Sequence, residues 1–148
     1  QVLFADYELQ AHRLVEQGRP VTAETLSEIY VDLLKAYHGD AVAFDDLGRV
    51  TWSRIPHFYS TPYYVYQYAT CFASSAELMR QLRGGPSGDR AEAIDRYLTL
   101  LKSGGSDHPM PLLKRAGVDL SRPETVRAVV HQLDTLVTRL EHEIDAMA

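Results

Sequence analysis

Apolar residues recur at helical spacing in several stretches of the chain, and Gly and Pro separate these stretches. Thr22 offers a hydroxyl to cap the first turn of one such stretch, and Gly39 follows its end. Steps of three and one residue place the apolar and aromatic members of a stretch on one helix face. In this case they predict an amphipathic helix with the face Leu26, Ile29, Tyr30, Leu33, Leu34 and Tyr37.

Five further helices are predicted by the same signals. No stretch shows the alternating apolar pattern of a strand, so the predicted fold class is all-α with about six helices. The last helix has a continuous apolar stripe from Val126 to Ile144. The five helices are Phe4–Glu16 before Gly18, Thr61–Arg83 before Gly84, Asp89–Leu101 before Gly104, Pro109–Ala116 before Gly117, and one that opens with a capping box at 121–124.

Residues 40 to 61 break this pattern. The segment has no helical period and contains Gly48 and Pro56. Its Trp52, Phe58 and Tyr59 argue against disorder, because disordered segments are poor in aromatic residues. We therefore expect a long irregular loop that is ordered and functional.

The length, charge and composition of the chain exclude several classes of function. A chain of 148 residues fits one domain. A net charge of −5 without clustered Lys or Arg argues against a nucleic-acid or membrane-surface partner, and no apolar run is long enough to span a bilayer. The chain has one cysteine and no secretory signal pattern, which favours a cytoplasmic location. Because Gln1 leads directly into a helical pattern, we expect a piece of a longer protein.

The segment HFYSTPYYVYQY, residues 57–68, holds five of the nine tyrosines. If a helix begins at Thr61, steps of 100° per residue place Tyr63, Tyr66, Gln67 and Thr70 on one face. The same wheel points Tyr64 and Tyr68 elsewhere, as core or interface residues. A face of phenols beside His57 suits a polar ligand such as a peptide backbone, or an oxyanion, because phenols donate hydrogen bonds at neutral pH.

Three segments resemble a known family. The run IPHFYSTPYYVYQYAT, the preceding FADYE at 4–8 and the following YLTLLKSGGSDHPMPLLKRAGVDLSRPE at 97–124 resemble the C-terminal part of oligoendopeptidase F. That family consists of zinc metallopeptidases related to thimet oligopeptidase. The resemblance covers nearly the whole chain, and it implies a segment of a larger, mostly helical catalytic domain.

The resemblance also implies a site. In these enzymes two His of an HExxH helix and a Glu of a later helix hold zinc, and the HExxH Glu activates the water. The C-terminal part supplies a histidine and tyrosines that bind short peptides and stabilise the oxyanion. Tyr59, Tyr63 and Tyr66 match the tyrosine spacing of thimet oligopeptidase, and His57 matches its histidine. The resemblance therefore implies catalytic roles for Tyr66, Tyr63 and His57, and substrate binding by these three and Tyr59.

The chain departs from an intact enzyme at the metal site. The nearest approach to HExxH is His142-Glu143-Ile144-Asp145-Ala146, with Ala in place of the second His. We therefore expect no metal ligand and no cofactor in this fragment, and zinc only in the full-length enzyme. The fragment alone should not cleave peptides. Glu8 of FADYE is expected to be solvated or salt-bridged, or to lie near the peptide channel.

The expected partners are the N-terminal remainder of the enzyme, short peptide substrates, and a second copy through exposed apolar surface. The residues leave two other functions open. One is a noncatalytic helical interaction module, or a degenerate relative without a metal site. The other is a helical protein that binds a small molecule on the face of Tyr63 and Tyr66.

Overall fold

A computed structural model describes residues 1–84 and 86–147, and these residues form helices and turns without a strand. The prediction of an all-α fold is confirmed, and each of the six predicted helices has a counterpart. The α-helices are α1 (Val2–Glu16), α2 (Ala23–His38), α3 (His57–Ser60), α4 (Tyr66–Arg83), α5 (Ser87–Ser103), α6 (Pro109–Arg115) and α7 (Pro123–Met147).

Helix α2 shows the predicted ends. The Thr22 hydroxyl accepts a hydrogen bond from the backbone N–H of Thr25 at 3.2 Å, which satisfies one of the free donors of the first turn. At the other end Gly39 has a φ of +57°, a left-handed conformation that glycine adopts without steric cost.

The predicted loop at 40–61 contains more helix than its pattern indicates. Two 3₁₀ helices, Gly39–Ala41 and Gly48–Arg54, and the single turn of α3 lie within or beside it. Local bonds hold these turns, such as the 2.8 Å bond from the Gly48 N–H to Asp45 Oδ1. A 3₁₀ helix repeats every three residues and is short, so it leaves no apolar period of 3.6 residues to detect.

The backbone contacts divide the chain into two compact units, Gln1–Ala69 and Thr70–Ala148. The expectation of a single domain stays a prediction. In the first unit the buried side chains of α1 and α2 form the core, and Trp52 and Phe58 from the loop pack against it. The Trp52 Nε1–H donates to Ser27 Oγ at 3.1 Å, which fixes the loop to α2. The buried core residues are Leu3, Tyr7, Tyr30, Leu33 and Leu34.

The second unit buries mainly small side chains together with one carboxylate, Glu77. Arg80 donates to both oxygens of Glu77, at 2.8 and 2.7 Å, and Gln81 donates to Oε1 at 2.8 Å. The Gln81 amide also donates to the Gly117 carbonyl at 2.8 Å. Gly117 has a φ of +85°, and a Cβ there would lie 2.7 Å from Gln81 Oε1.

Glu77 makes the stability of the second unit depend on pH. The hydrogen bonds from Arg80 lower the pKa of Glu77 below 4.5, although its burial opposes the shift. A lowered pKa stabilises the folded state above the unfolded-state pKa, and this stabilisation is lost as the pH falls through the lower folded-state value. We expect Glu77→Gln to lower the free energy of unfolding at pH 7 by about 1–2 kcal/mol. Below about pH 4.5 the free energy of unfolding should decrease less steeply with falling pH in this variant than in the wild type.

The measurement is urea unfolding at several pH values between 7 and 3. Glu92→Gln is the matched control, because Glu92 pairs with Arg96 across one helical turn but is mostly exposed. Exposed pairs contribute little to stability. An equal effect of the two substitutions would contradict the role given to Glu77.

Helix α7 leaves its apolar stripe in solvent. Eight of its apolar side chains are between 46% and 80% exposed: Val126, Val130, Leu133, Leu136, Val137, Leu140, Ile144 and Met147. No helix in the described part of the chain is both long enough and apolar enough to cross a membrane. A stripe of this extent normally marks a surface that another protein segment covers.

Candidate functional site

The tyrosine-rich segment folds in three parts within the first unit. His57 and Tyr59 lie on α3, Tyr63 lies in a turn, and Tyr66 is the first residue of α4. The predicted opening, with Thr61 as the cap and Pro62 as the first helical residue, is therefore wrong, because α4 begins four residues later at Tyr66. Tyr63 has a φ of +58° and is the one non-glycine residue of the described chain in the left-handed region. The helical wheel that places Tyr63 on one face with Tyr66 does not apply to it.

A buried carboxylate on α1 accounts for this turn. Glu8 is only 3% exposed, and its Oε1 accepts the backbone N–H of Tyr63 at 2.7 Å. One turn further along α1, the His12 ring lies 4.5 Å from the Tyr63 ring. A left-handed residue costs about 1–2 kcal/mol, and a hydrogen bond to a charged group contributes about 1.5–3 kcal/mol. The bond to Glu8 therefore offsets the strain and selects the turn over a longer helix.

His57 lies between two tyrosines that the sequence does not assign to the site. Its ring stacks on Tyr64 at a centroid distance of 5.4 Å. The Tyr68 hydroxyl lies 3.3 Å from His57 Nε2, where the tautomer of the histidine decides which group donates. Tyr64 and Tyr68 are 40% and 43% exposed, so they do not lie in the core of the described chain, and the expectation that they are interface residues stays a prediction. A helical wheel shows only neighbours within one helix, so it could not predict that Tyr64 and Tyr68 contact a histidine of another helix.

The site residues inferred from the resemblance all lie in the first unit and reach solvent. The tyrosines between 59 and 68 are 40% to 62% exposed, so none of their rings is sealed in the core. Glu8 and His12 hold Tyr63 from α1, whereas Tyr66 follows at the start of α4. The arrangement offers exposed phenols as hydrogen-bond donors and an imidazole beside them. These are suitable groups for binding a peptide carbonyl.

An open cavity of about 170 Å³ adjoins Tyr59. Helices α1 and α2 and residues 52–59 form its wall, with Trp52 and Phe58 on the loop side. Tyr7, Glu8 and His12 line it from α1. Helix α1 therefore both lines the cavity and, through Glu8, holds the turn at Tyr63.

The described residues contain no group of three or more His, Cys, Asp or Glu side chains that is placed to hold a metal ion. The chemistry that these residues offer is hydrogen bonding and proton transfer by phenols and an imidazole. Zinc does not fit a donor set among the described residues.

The model of peptidase family M3 matches residues 1–130. The chain belongs to peptidase family M3. This family match spans α1 to α6 and the first turns of α7, and it includes every residue of the tyrosine-rich segment. The resemblance drawn from the sequence is thereby confirmed.

Several M3-type peptidases align with nearly the whole chain. It is 40% identical over 143 residues to oligopeptidase PepF of Bacillus subtilis, covering 95% of this chain and 20% of that protein. It is 39% identical over 131 residues to an oligoendopeptidase F homolog of Borreliella burgdorferi, covering 88% and 21%. Group B oligopeptidase PepB of Streptococcus agalactiae is 33% identical over 142 residues, covering 96% and 23%.

The chain therefore spans about a fifth of the length of these relatives. A comparison with the solved structures finds no match.

Proposed function

We propose that this chain is the C-terminal segment of a zinc-dependent metalloendopeptidase that hydrolyses short peptides. The observation that carries the proposal is the M3 family match, which includes a His and Tyr segment that lies open to solvent. In this proposal Tyr66, Tyr63 and His57 act at the reacting carbonyl, and Tyr59 binds the peptide.

The tyrosines act as hydrogen-bond donors. Tyr66 and Tyr63 donate their hydroxyl protons to the carbonyl oxygen as it gains negative charge. Such a donor stabilises a transition state by about 3–4 kcal/mol when water is excluded from the site. The contacts of His57 with Tyr64 and Tyr68 orient the imidazole toward the peptide. The tyrosines perform these donor roles as protonated phenols.

We propose that residues outside this segment bind the zinc, since the described residues offer no ligand group. The chain alone is then inactive, and its catalytic partner is the N-terminal remainder of the same protein. A cytoplasmic location is part of the proposal, supported by the single cysteine. The net charge of −5 supports a partner other than nucleic acid.

The test uses the longer protein that carries this chain at its C-terminal end. We expect it to cleave short fluorogenic peptides, to lose activity on treatment with a chelator, and to regain it with zinc. The 148-residue chain, assayed beside it, should show no cleavage. A longer protein that is folded but cleaves no short peptide, or a coding sequence without HExxH upstream of Gln1, would favour a noncatalytic helical module instead.

The apolar stripe of α7 supports the proposed partner. It uses three positions in each seven residues, as in Leu133, Leu136 and Val137. A stripe of this width is typical of a helix that faces a globular core, whereas a two-stranded coiled coil uses two positions in seven. We infer that the rest of the longer protein covers this stripe.

In the isolated chain a second copy should cover the stripe instead. We expect the chain to self-associate, and Leu140→Glu to weaken this association at least about tenfold, because a buried Leu contributes about 1.5–3 kcal/mol. Thr138→Glu adds the same charge outside the stripe and should leave the association unchanged. Sedimentation equilibrium measures both. A wild-type chain that stays monomeric, or equal effects of the two substitutions, would contradict this role of α7.

A further inference from the structure

We infer that the cavity beside Tyr59 is a subsite for one large apolar side chain of the peptide, preferably an aromatic one. The inference rests on the proposed function, because it takes the ligand to be a peptide. It adds a preference for substrate that the family match and the names of the relatives do not give.

The size of the cavity indicates a single side chain. Its volume is about 170 Å³, close to that of an apolar cavity of about 150 Å³ that binds one benzene molecule. Pockets that hold a complete small-molecule ligand are larger, about 300–1,000 Å³. One aromatic ring therefore fills this space, and a whole peptide does not.

The wall of the cavity is mainly apolar. Its apolar lining residues include Val15, Val21, Leu26, Trp52 and Phe58. Removing an aromatic ring from water onto such a wall is favourable in proportion to the apolar area that it buries. Rings also pack edge to face or stacked on other rings, as Tyr7 already does on Trp52, where the ring centroids lie 6.1 Å apart in a stacked arrangement.

Two polar residues, Tyr7 and Glu8, line the cavity. The Tyr7 hydroxyl is buried without a hydrogen-bond partner among the described residues, which is uncommon for a buried hydroxyl. Burial raises the pKa of Tyr7 well above its usual value, so the group stays neutral. Because this hydroxyl is closed to solvent, it offers no bond to a side chain in the open cavity. The carboxylate of Glu8 disfavours acidic side chains, since like charges repel in a partly dry site.

The cavity also lies beside the groups that would hold the peptide backbone. Tyr59, a proposed substrate-binding residue, forms part of the wall. His12 lines the cavity and contacts the ring of Tyr63. A side chain in the cavity therefore belongs to a residue near the bond that is cleaved.

The first experiment uses the 148-residue chain and a simple probe of an aromatic side chain, toluene. Trp52 is the single tryptophan, so its fluorescence and its indole N–H signal in NMR report directly on the cavity. We expect saturable changes in the Trp52 signals with toluene, and binding at least fivefold weaker in Val21→Phe, which fills the cavity. Val42→Phe is the matched control, because Val42 lies outside the cavity and is 44% exposed against 42% for Val21.

Absence of any change in the Trp52 signals, or equal effects of Val21→Phe and Val42→Phe, would overturn the subsite.

The second experiment uses the longer protein and peptides that differ at one position, as Phe, Ala or Glu. Val21→Phe should raise the KM for the Phe peptide at least tenfold relative to the Ala peptide, and Val42→Phe should not. An unchanged ratio in an active enzyme would show that the cavity takes no substrate side chain. A third outcome is that the 148-residue chain binds toluene but the longer protein cleaves no peptide. This outcome would reject the proposed function, and the cavity would then be an aromatic-binding site of another kind.

Discussion

Tyr66→Phe in the longer protein is expected, on the proposed function, to lower kcat for a short peptide by about 10²-fold or more. The substitution removes one hydroxyl and keeps the ring, so it deletes a donor without creating a cavity. Tyr66 is 48% exposed at the first residue of α4, so its hydroxyl is not needed for packing. The loss should fall on kcat, because the hydroxyl bonds more strongly to the charged transition state than to the neutral carbonyl.

Tyr37→Phe is the matched control for this measurement. Tyr37 has nearly the same exposure, 47%, and its hydroxyl donates only a long bond of 3.4 Å to Asp6. Turnover of the control should match the wild type, and both variants should unfold at the wild-type urea concentration. Wild-type turnover by Tyr66→Phe would remove this tyrosine from the proposed oxyanion site.

Glu8→Ala is expected to lower the free energy of unfolding of the first unit by about 2–3 kcal/mol. The substitution leaves the Tyr63 N–H without its acceptor, and it leaves a left-handed residue without the bond that offsets its strain. Glu8→Gln keeps an acceptor oxygen at the same position, so it should retain most of the stability. Urea unfolding gives the free energies, and hydrogen exchange of the Tyr63 amide reports on the bond itself.

The control is Glu16→Ala, an exposed carboxylate at the end of the same helix, which should change stability by less than about 0.5 kcal/mol. The exchange of the Tyr63 amide should become fast in Glu8→Ala and stay slow in Glu8→Gln. Slow exchange in Glu8→Ala would mean that Glu8 does not hold the turn.

Tyr66 and Glu8 belong to different parts of one proposed site. In the proposed function Tyr66 acts on the substrate directly, whereas Glu8 acts through the backbone of Tyr63. The FADYE segment and the tyrosine-rich segment are therefore joined by a hydrogen bond, 55 residues apart in sequence. Glu8 is therefore a buried residue that holds the Tyr63 turn, and the expectation that it is a solvated carboxylate is wrong.

The helical part of the fold follows from local patterns. Helix α2 begins after its Thr22 cap and ends before Gly39, as its periodicity predicts, because capping and periodicity act within a few residues. The irregular segment at 40–61 is predicted less well, since its 3₁₀ turns depend on bonds such as Gly48 to Asp45 rather than on an apolar period. Its aromatic residues nevertheless predict order, and Trp52 and Phe58 do pack on the core.

The all-α class and the six main helices follow from the amino-acid sequence, and three of its segments carry the resemblance to oligoendopeptidase F that the family match confirms. The departure of Tyr63 from the helix and the contacts of Tyr64 and Tyr68 with His57 follow from the folded chain instead. The two sets of features depend on interactions of different range along the chain. Helix propensity and caps act between near neighbours, whereas the bond from Tyr63 to Glu8 exists only after α1 has packed beside the turn.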